Sequence, residues 1–295
     1  MGNLIKNFNQ IAHNYRAIFC DLWGCIHNGR ESFKDSLEAL LQFRNTGGRV
    51  ILVTNAPRPS TSVIGFLDNL GITNRFYDSI VTSGDTTKTS LQTGEFGYDI
   101  YHIGPKRDLC FFDPDPTFLS SSNKVNLVSI ANASSIVCTG LFNDQIEKPS
   151  DYAEIIEFGV ENKLPLLCAN PDIQVDYGSQ RLWCAGAIAE HYAKAGGESI
   201  YFGKPHKPIY DLSMSKLLSV DSSISKKQII CIGDGLFTDI RGGISYGLDT
   251  LFVAGGLSGQ ATGVINGAKS PNQKKLNQLF KKFKLNPSMS IGYFQ

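Results

Sequence analysis

Six polar residues stand where short apolar runs stop. "RAIFC" (16–20) ends at Asp21, "RVILV" (49–53) at Thr54 and Asn55, "SIYFG" (199–203) at Lys204, and "QIICIG" (228–233) at Asp234, with Asp239 five residues further on. Open parallel sheets bind ligands beyond the carboxyl ends of their strands. Together these residues offer a carboxylate able to act as a nucleophile, a hydroxyl and an amide, a lysine and two further acids. Hard oxygen ligands suit magnesium, and a cation with several donors suits a phosphoryl group. The chemistry this inventory fits is magnesium-dependent phosphoryl transfer. Gly24, Gly233 and Gly235 let the backbone turn tightly beside it.

The elements that must position these residues alternate along the chain. After the first run, "SFKDSLEALLQFRNTGG" reads as a helix with a glycine stop, and after the second, "STSVIGFLDNLGI" reads as another. The rhythm returns near the C-terminus with helix "IYDLSMSKLL", strand "QIICIGDG", helix "FTDIRGGISYG" and strand "TLFVAGG". Strands apolar on both faces and separated by helices imply an α/β fold with a doubly wound parallel sheet. The middle is less regular and holds a Pro/Ser-rich stretch, "DPDPTFLSSSNK". The expected organisation is a discontinuous core, 1–83 plus 183–295, around a smaller α/β domain at 84–182. The last forty residues are expected to add one helix, "NQKKLNQLFKKF", and a tail with no assigned role.

Composition narrows the class. The chain has 295 residues, 42% hydrophobic and 19% charged, with a net charge of +1. That is ordinary for a globular protein and too apolar for disorder. The densest basic stretch, Lys281, Lys282 and Lys284, reads as a solvated helix face, so no nucleic acid is expected as partner. No run of eighteen apolar residues occurs, so no membrane span is expected. Seven cysteines are scattered without a CxxC pair, several inside apolar runs. Buried free thiols favour a reducing, cytoplasmic setting, and the "NAS" sequon at 132–134 is then incidental.

The motifs in order resemble the haloacid dehalogenase (HAD) superfamily, in its class IIA phosphatase-like branch. "FCDLWG" resembles its motif I, "LVTNAP" motif II, "GKPHKPIY" motif III and "IGDGLFTDIRGG" motif IV. "CTGLFNDQ", "LCANPD" and "CAGAIAEHY" resemble the inserted cap of that branch. The resemblance covers about 15–255. It implies a Rossmann-like core with an inserted α/β cap, and Asp21 attacking phosphorus to become an aspartyl phosphate. Thr54, Asn55 and Gly24 would hold phosphate oxygens, and Lys204 would neutralise charge. Magnesium would sit between Asp21, Asp234 and the backbone carbonyl of Trp23, with Asp239 holding a metal-bound water or orienting Lys204. The substrate class implied is a small phosphorylated metabolite, with a homodimer formed through the cap. Asp172, Asp176, Arg181 and Trp183 in "NPDIQVDYGSQRLWCAG" are the cap residues expected to meet substrate, and His206 to line the entrance. "GPKRD" (104–108) lacks the full phosphate-loop pattern and is weak as a nucleotide signal.

One position departs from the family. Its phosphatases carry a second acid two residues after the nucleophile, which protonates the leaving group and then activates water. Here that position is Trp23. An indole N–H exchanges no proton usefully near neutral pH. General acid–base catalysis contributes about 10² to 10⁴ in rate, or on the order of 3 to 5.5 kcal/mol. Three accounts stay open. His27 replaces the acid; or the leaving group, acyl or aryl, departs unprotonated; or the reaction is a dehalogenation. Asp234 and Asp239 keep the metal pattern, which favours a phosphate-directed site over the third. A non-catalytic binder of phosphorylated ligands is the remaining alternative.

Overall fold

A computed structural model of the chain describes residues 3–113, 124–177, 180–265 and 269–295. The expected Pro/Ser-rich loop falls, at 114–123, outside the described residues, as does the side chain of Asp176. Two units emerge. The first comprises the described residues of Met1–Thr54, Ile64–Val81 and Tyr210–Gln295, the second Asn55–Val63 and Thr82–Ile209.

The first unit is built on a seven-stranded sheet. Its order is Asn3–Leu4, Met289–Ile291, Asp249–Val253, Ile229–Gly233, Ala17–Cys20, Arg49–Thr54 and Ser79–Thr82. The pairings from Asn3–Leu4 across to Arg49–Thr54 are parallel. Ala17–Cys20 and Ile229–Gly233 are buried at every position, as strands covered on both faces must be. These two strands are neighbours, with Cys20 opposite Ile232. From them, chain order runs outward in opposite directions, through 49–54 and 79–82 on one side and through 249–253 and 289–291 on the other. They therefore flank the point where strand order reverses, the position at which such sheets open a crevice for ligands.

The tail is part of this sheet, not an appendage. Met289–Ile291 pairs parallel with Asp249–Val253 and takes Asn3–Leu4 as its own outer neighbour. Just beyond it, Phe294 meets Phe8 edge-on at 5.5 Å between ring centroids, and Phe8 meets Phe43 at 5.7 Å. Ser36 donates its hydroxyl to the Phe294 carbonyl at 2.7 Å. A buried aromatic contributes several kcal/mol through transfer and packing, so Phe294→Ala should lower unfolding free energy by about 3–5 kcal/mol. Denaturant melts read this directly, and a change below about 1 kcal/mol would show the tail to be loosely held.

The second unit is built on a five-stranded parallel sheet ordered Ser199–Tyr201, Leu166–Cys168, Ser135–Cys138, Asp99–Ile103, Asn126–Leu127. Alternate side chains serve its two faces. Ile136, Leu166 and Ile103 pack with Ile188 and Tyr192. Val137, Leu167 and Ile100 pack with Leu91, Phe111 and Phe202. A separate antiparallel pair joins Gln174–Tyr177 to Gln180–Trp183.

This corrects the expected boundary at 182/183. The strand Ser199–Tyr201 pairs with Leu166–Cys168, and the helix Ala185–Lys194 packs on the same sheet, so the inserted unit runs to Ile209. The physical reason is plain. A short apolar strand satisfies either of two buried parallel sheets equally well, and its own residues do not encode which one it joins.

Candidate active site

In the first unit, the end of Ala17–Cys20 delivers Asp21, and the end of Ile229–Gly233 delivers Asp234. The backbone holds them side by side, since the Asp21 N–H donates to the Ile232 carbonyl at 2.9 Å. One carboxylate oxygen from each, with the Cys25 Sγ, forms a set of possible metal-ligand atoms all within 4.8 Å of one another. Asp234 is 3% exposed, and its Oδ2 accepts from the Leu257 N–H at 2.8 Å. Gly24 adopts φ +70°, and any side chain there would run into the Asp234 carboxylate. The turn thus needs glycine twice over, for its left-handed backbone and for the close approach.

These features fit a hard divalent cation. Two carboxylates crowded together lower each other's repulsion by sharing an ion, and oxygen donors match magnesium or calcium. Cys25, which the sequence did not single out, adds no hard ligand. Burial first, and then the Asp234 carboxylate, push its thiol well above the usual range, so it keeps its proton.

Asp239 stands outside that set. It is 1% exposed, and its Oδ2 accepts from the Gly235 N–H at 3.1 Å and the Thr238 hydroxyl at 3.2 Å. It pins a wide turn, Leu236–Ile240, in which the Ile240 N–H reaches the Gly235 carbonyl at 3.1 Å, five residues back. Such widened turns recur at functional sites because they re-aim the flanking side chains. Thr54 ends the strand Arg49–Thr54 and is buried.

The tryptophan loop is well ordered by its own contacts. Trp23 bridges to His27 along the backbone, and the Gly24 N–H donates to the His27 carbonyl at 3.0 Å. The indole lies over Gly29, where φ is +83° and a Cβ would meet the six-membered ring. His27 packs edge-on to Trp23 at 5.2 Å and to Phe66 at 5.6 Å. It is 0% exposed, its Nδ1 accepts from the Gly29 N–H at 3.0 Å, and its Nε2 has no hydrogen-bond partner among the described residues.

This geometry corrects the expectation that His27 replaces the missing acid. Burial lowers its pKa to about 4, so the ring is neutral at working pH and enclosed rather than facing a substrate. The sequence placed it in the right loop but gave no sign that Trp23 and Phe66 would close over it.

A stability effect follows, and its sign is fixed. A histidine that titrates near 6.5 when unfolded and near 4 when folded takes up its proton first in the unfolded chain. Stability therefore falls as pH drops from about 6.5 towards about 4. His27→Gln should reduce the slope of unfolding free energy against pH in that window by about 1.4 kcal/mol per pH unit. Buried His102 in the second unit, also lowered to about 4, supplies a similar slope that the variant leaves in place. An unchanged slope would show that His27 is solvated.

The second unit holds the remaining candidates. Asn55 donates to the Asp172 Oδ1 at 2.9 Å and to the Lys204 carbonyl at 3.1 Å, and it accepts from the Lys204 N–H at 2.7 Å. The three are brought together, with Asn55 clasping both backbone polar groups of Lys204. Lys204 is 3% exposed, so its stem is enclosed. The sequence expectation that Lys204 follows a strand of the same sheet as Asp21 is corrected, because its strand belongs to the five-stranded sheet. Asn55 was expected to hold phosphate through its backbone donor, and its side chain is committed to this clasp.

Arg181 is exposed on the antiparallel pair, opposite Asp176. Trp183 packs against the core of the second unit. His206 stacks on Tyr201 at 4.8 Å, and burial lowers its pKa. The "GPKRD" stretch is structural. Asp108 is 4% exposed with Arg58 at 3.9 Å, and Arg107 pairs with Asp144. All seven cysteines are free, and six are buried. No helix among the described residues is long and apolar enough to cross a membrane.

Comparison with known proteins agrees with this fold. A family model described as haloacid dehalogenase-like hydrolase matches residues 18–113, and a HAD-hydrolase-like model matches 201–272. The "Acid sugar phosphatase" of Staphylococcus aureus is 24% identical over 247 residues, 83% of this chain and 88% of that protein. The solved glycerol phosphate phosphatase of Mycobacterium tuberculosis, in complex with calcium, shares the fold at TM-score 0.63 and 21% identity, over 84% of this chain and 68% of that one. A crystal structure of a hydrolase from Brucella suis, of the haloacid dehalogenase-like family, superposes with TM-score 0.83 at 37% identity, over 99% of this chain and 100% of that one. With that identity over the full length, and with its two acids at the switch point of the sheet, the chain belongs to the haloacid dehalogenase-like hydrolase family.

Proposed function

We propose that the chain is a magnesium-dependent phosphatase acting on a small phosphorylated metabolite through an aspartyl phosphate on Asp21. The observation that carries this reading is the pair of carboxylates, Asp21 and Asp234, held within 4.8 Å at the carboxyl ends of adjacent strands. The names of two relatives, an acid sugar phosphatase and a glycerol phosphate phosphatase, support the substrate class.

Asp21 supplies the attacking oxygen. It forms the new O–P bond as the bond to the leaving group breaks, and water later releases phosphate and restores the carboxylate. Asp21, Asp234 and the carbonyl of Trp23 are the residues that would hold magnesium, which when bound neutralises charge on the phosphoryl oxygens. Asp239 braces the loop that carries Asp234 and would hold a water beside a bound cation. Thr54 donates to a phosphate oxygen, while Gly24, whose N–H is given to the His27 carbonyl, shapes the turn rather than donating. In the second unit, Lys204 is the proposed cation for a phosphate, with Asn55 as the residue that clasps its backbone. Asp172 and Arg181 are the proposed contacts to the body of the substrate.

A panel of phosphorylated sugars, polyols and aryl phosphates, assayed with magnesium and with chelator, tests the proposal. Phosphate release that requires the cation is the expected result. Ligand-dependent thermal shifts without any turnover would instead favour a binding protein.

A further inference from the structure

Trp23 and its surroundings carry a consequence for which substrates can react. The indole is parked over Gly29 and against His27, and offers a single N–H that donates hydrogen bonds but transfers no proton. His27 is sealed under Trp23 and Phe66, with Nδ1 already engaged by Gly29. The Cys25 thiol is 1% exposed and sits among the carboxylates of Asp21 and Asp234. In-line transfer places the leaving oxygen on the far side of phosphorus from Asp21, so that thiol is on the wrong side to serve it. The loop that would carry the acid thus presents at that position an indole, which transfers no proton.

We propose that Trp23 makes this chain selective for phosphates whose leaving oxygen departs without a proton, namely aryl and acyl phosphates, and leaves the aspartyl phosphate long-lived. The inference rests on the phosphatase reading above. In the first step an Asp21 oxygen bonds to phosphorus and the P–O bond to the leaving group breaks. Its electron pair stays on the leaving oxygen, which departs as phenolate or carboxylate and takes a proton from water afterwards. In the second step a water oxygen bonds to phosphorus and the P–O bond to Asp21 breaks. The water's proton passes to solvent, with no side chain at position 23 to accept it. Both steps lack the same group, so good leaving groups speed the first step while the second stays slow.

The test is a series of substituted phenyl phosphates with an alkyl phosphate and acetyl phosphate, assayed with magnesium on the intact chain. A steep fall of kcat/KM with leaving-group basicity is expected, together with a burst of phenol release before steady state. Trp23→Asp should raise kcat/KM for the alkyl phosphate by about 10²-fold or more and flatten the series. Trp23→Phe, which also lacks an acid, should keep the steep slope. If the unaltered chain turns over alkyl and nitrophenyl phosphates at similar kcat/KM, this inference fails while the phosphatase reading stands. If no member of the series is hydrolysed, both fail. The slope for the unaltered chain decides the matter even if the aspartate variant does not fold.

Discussion

Asp21→Asn should abolish turnover, with phosphate release falling on the order of 10⁴-fold or more while the fold is kept. An amide has the shape of the carboxylate but no lone pair basic enough to displace the leaving oxygen. Removing a covalent nucleophile is among the largest single losses an enzyme can suffer. Stability should not suffer in parallel. Asp21 is held by its backbone N–H on the Ile232 carbonyl, a bond the substitution leaves intact. It also faces the Asp234 carboxylate in the set of ligand atoms within 4.8 Å. Removing one of two close like charges relieves repulsion in the metal-free protein. The expected signature is therefore an inactive variant with an unfolding midpoint equal to, or above, that of the unaltered chain. Steady-state phosphate release and a thermal melt without metal read the two halves. Activity within tenfold of the unaltered chain would mean that Asp21 is not the nucleophile.

The second large effect is expected at Asp234. Asp234→Asn should lower kcat/KM with magnesium by on the order of 10³-fold, in line with several kcal/mol of charge stabilisation from a bound cation. It should also erase the rise in melting temperature that magnesium gives the unaltered chain. Asparagine can still accept the Leu257 N–H through its amide oxygen, so the loop keeps its hydrogen bond. The variant without metal should again be no less stable, because Asp21 loses a like-charged neighbour. A magnesium-dependent thermal shift that survives the substitution would place the cation elsewhere. Gly24 makes the same point from the backbone side, since no residue with a side chain can take its place without pushing the Asp234 carboxylate away.

Much of this arrangement was legible in the sequence, and the reason is local. Strands buried on both faces are apolar throughout and stop sharply at the first polar residue, so Asp21, Thr54 and Asp234 announce themselves as strand-end residues. What the sequence does not encode locally was not legible. Ser199–Tyr201 would satisfy either sheet, and only its pairing with Leu166–Cys168 assigns Lys204 to the second unit. Met289–Ile291 is too short and mixed to read as a strand, yet it extends the core sheet because Asp249–Val253 leaves an edge open to it.

His27 was misread for a similar reason. A histidine between Ile26 and Asn28 looks like a loop residue, and its enclosure depends on Phe66, thirty-nine residues away. Cys25 went unnoticed because a thiol beside the metal-binding acids and a thiol in a plain core look alike in an apolar run. The clasp of Asn55 on Lys204 joins residues nearly 150 positions apart, and motif spacing carries no trace of it.

The most direct measurement of the central claim is to stop the magnesium-supported reaction in acid during turnover, digest the protein and map phosphorylation by mass spectrometry. Aspartyl phosphate survives acid and is cleaved by hydroxylamine. The expected result is a hydroxylamine-sensitive phosphoryl group on the peptide containing Asp21, absent from Asp21→Asn. Product formation with Asp21 unmodified at every time point, or a phosphoryl group found on another residue, would contradict the account.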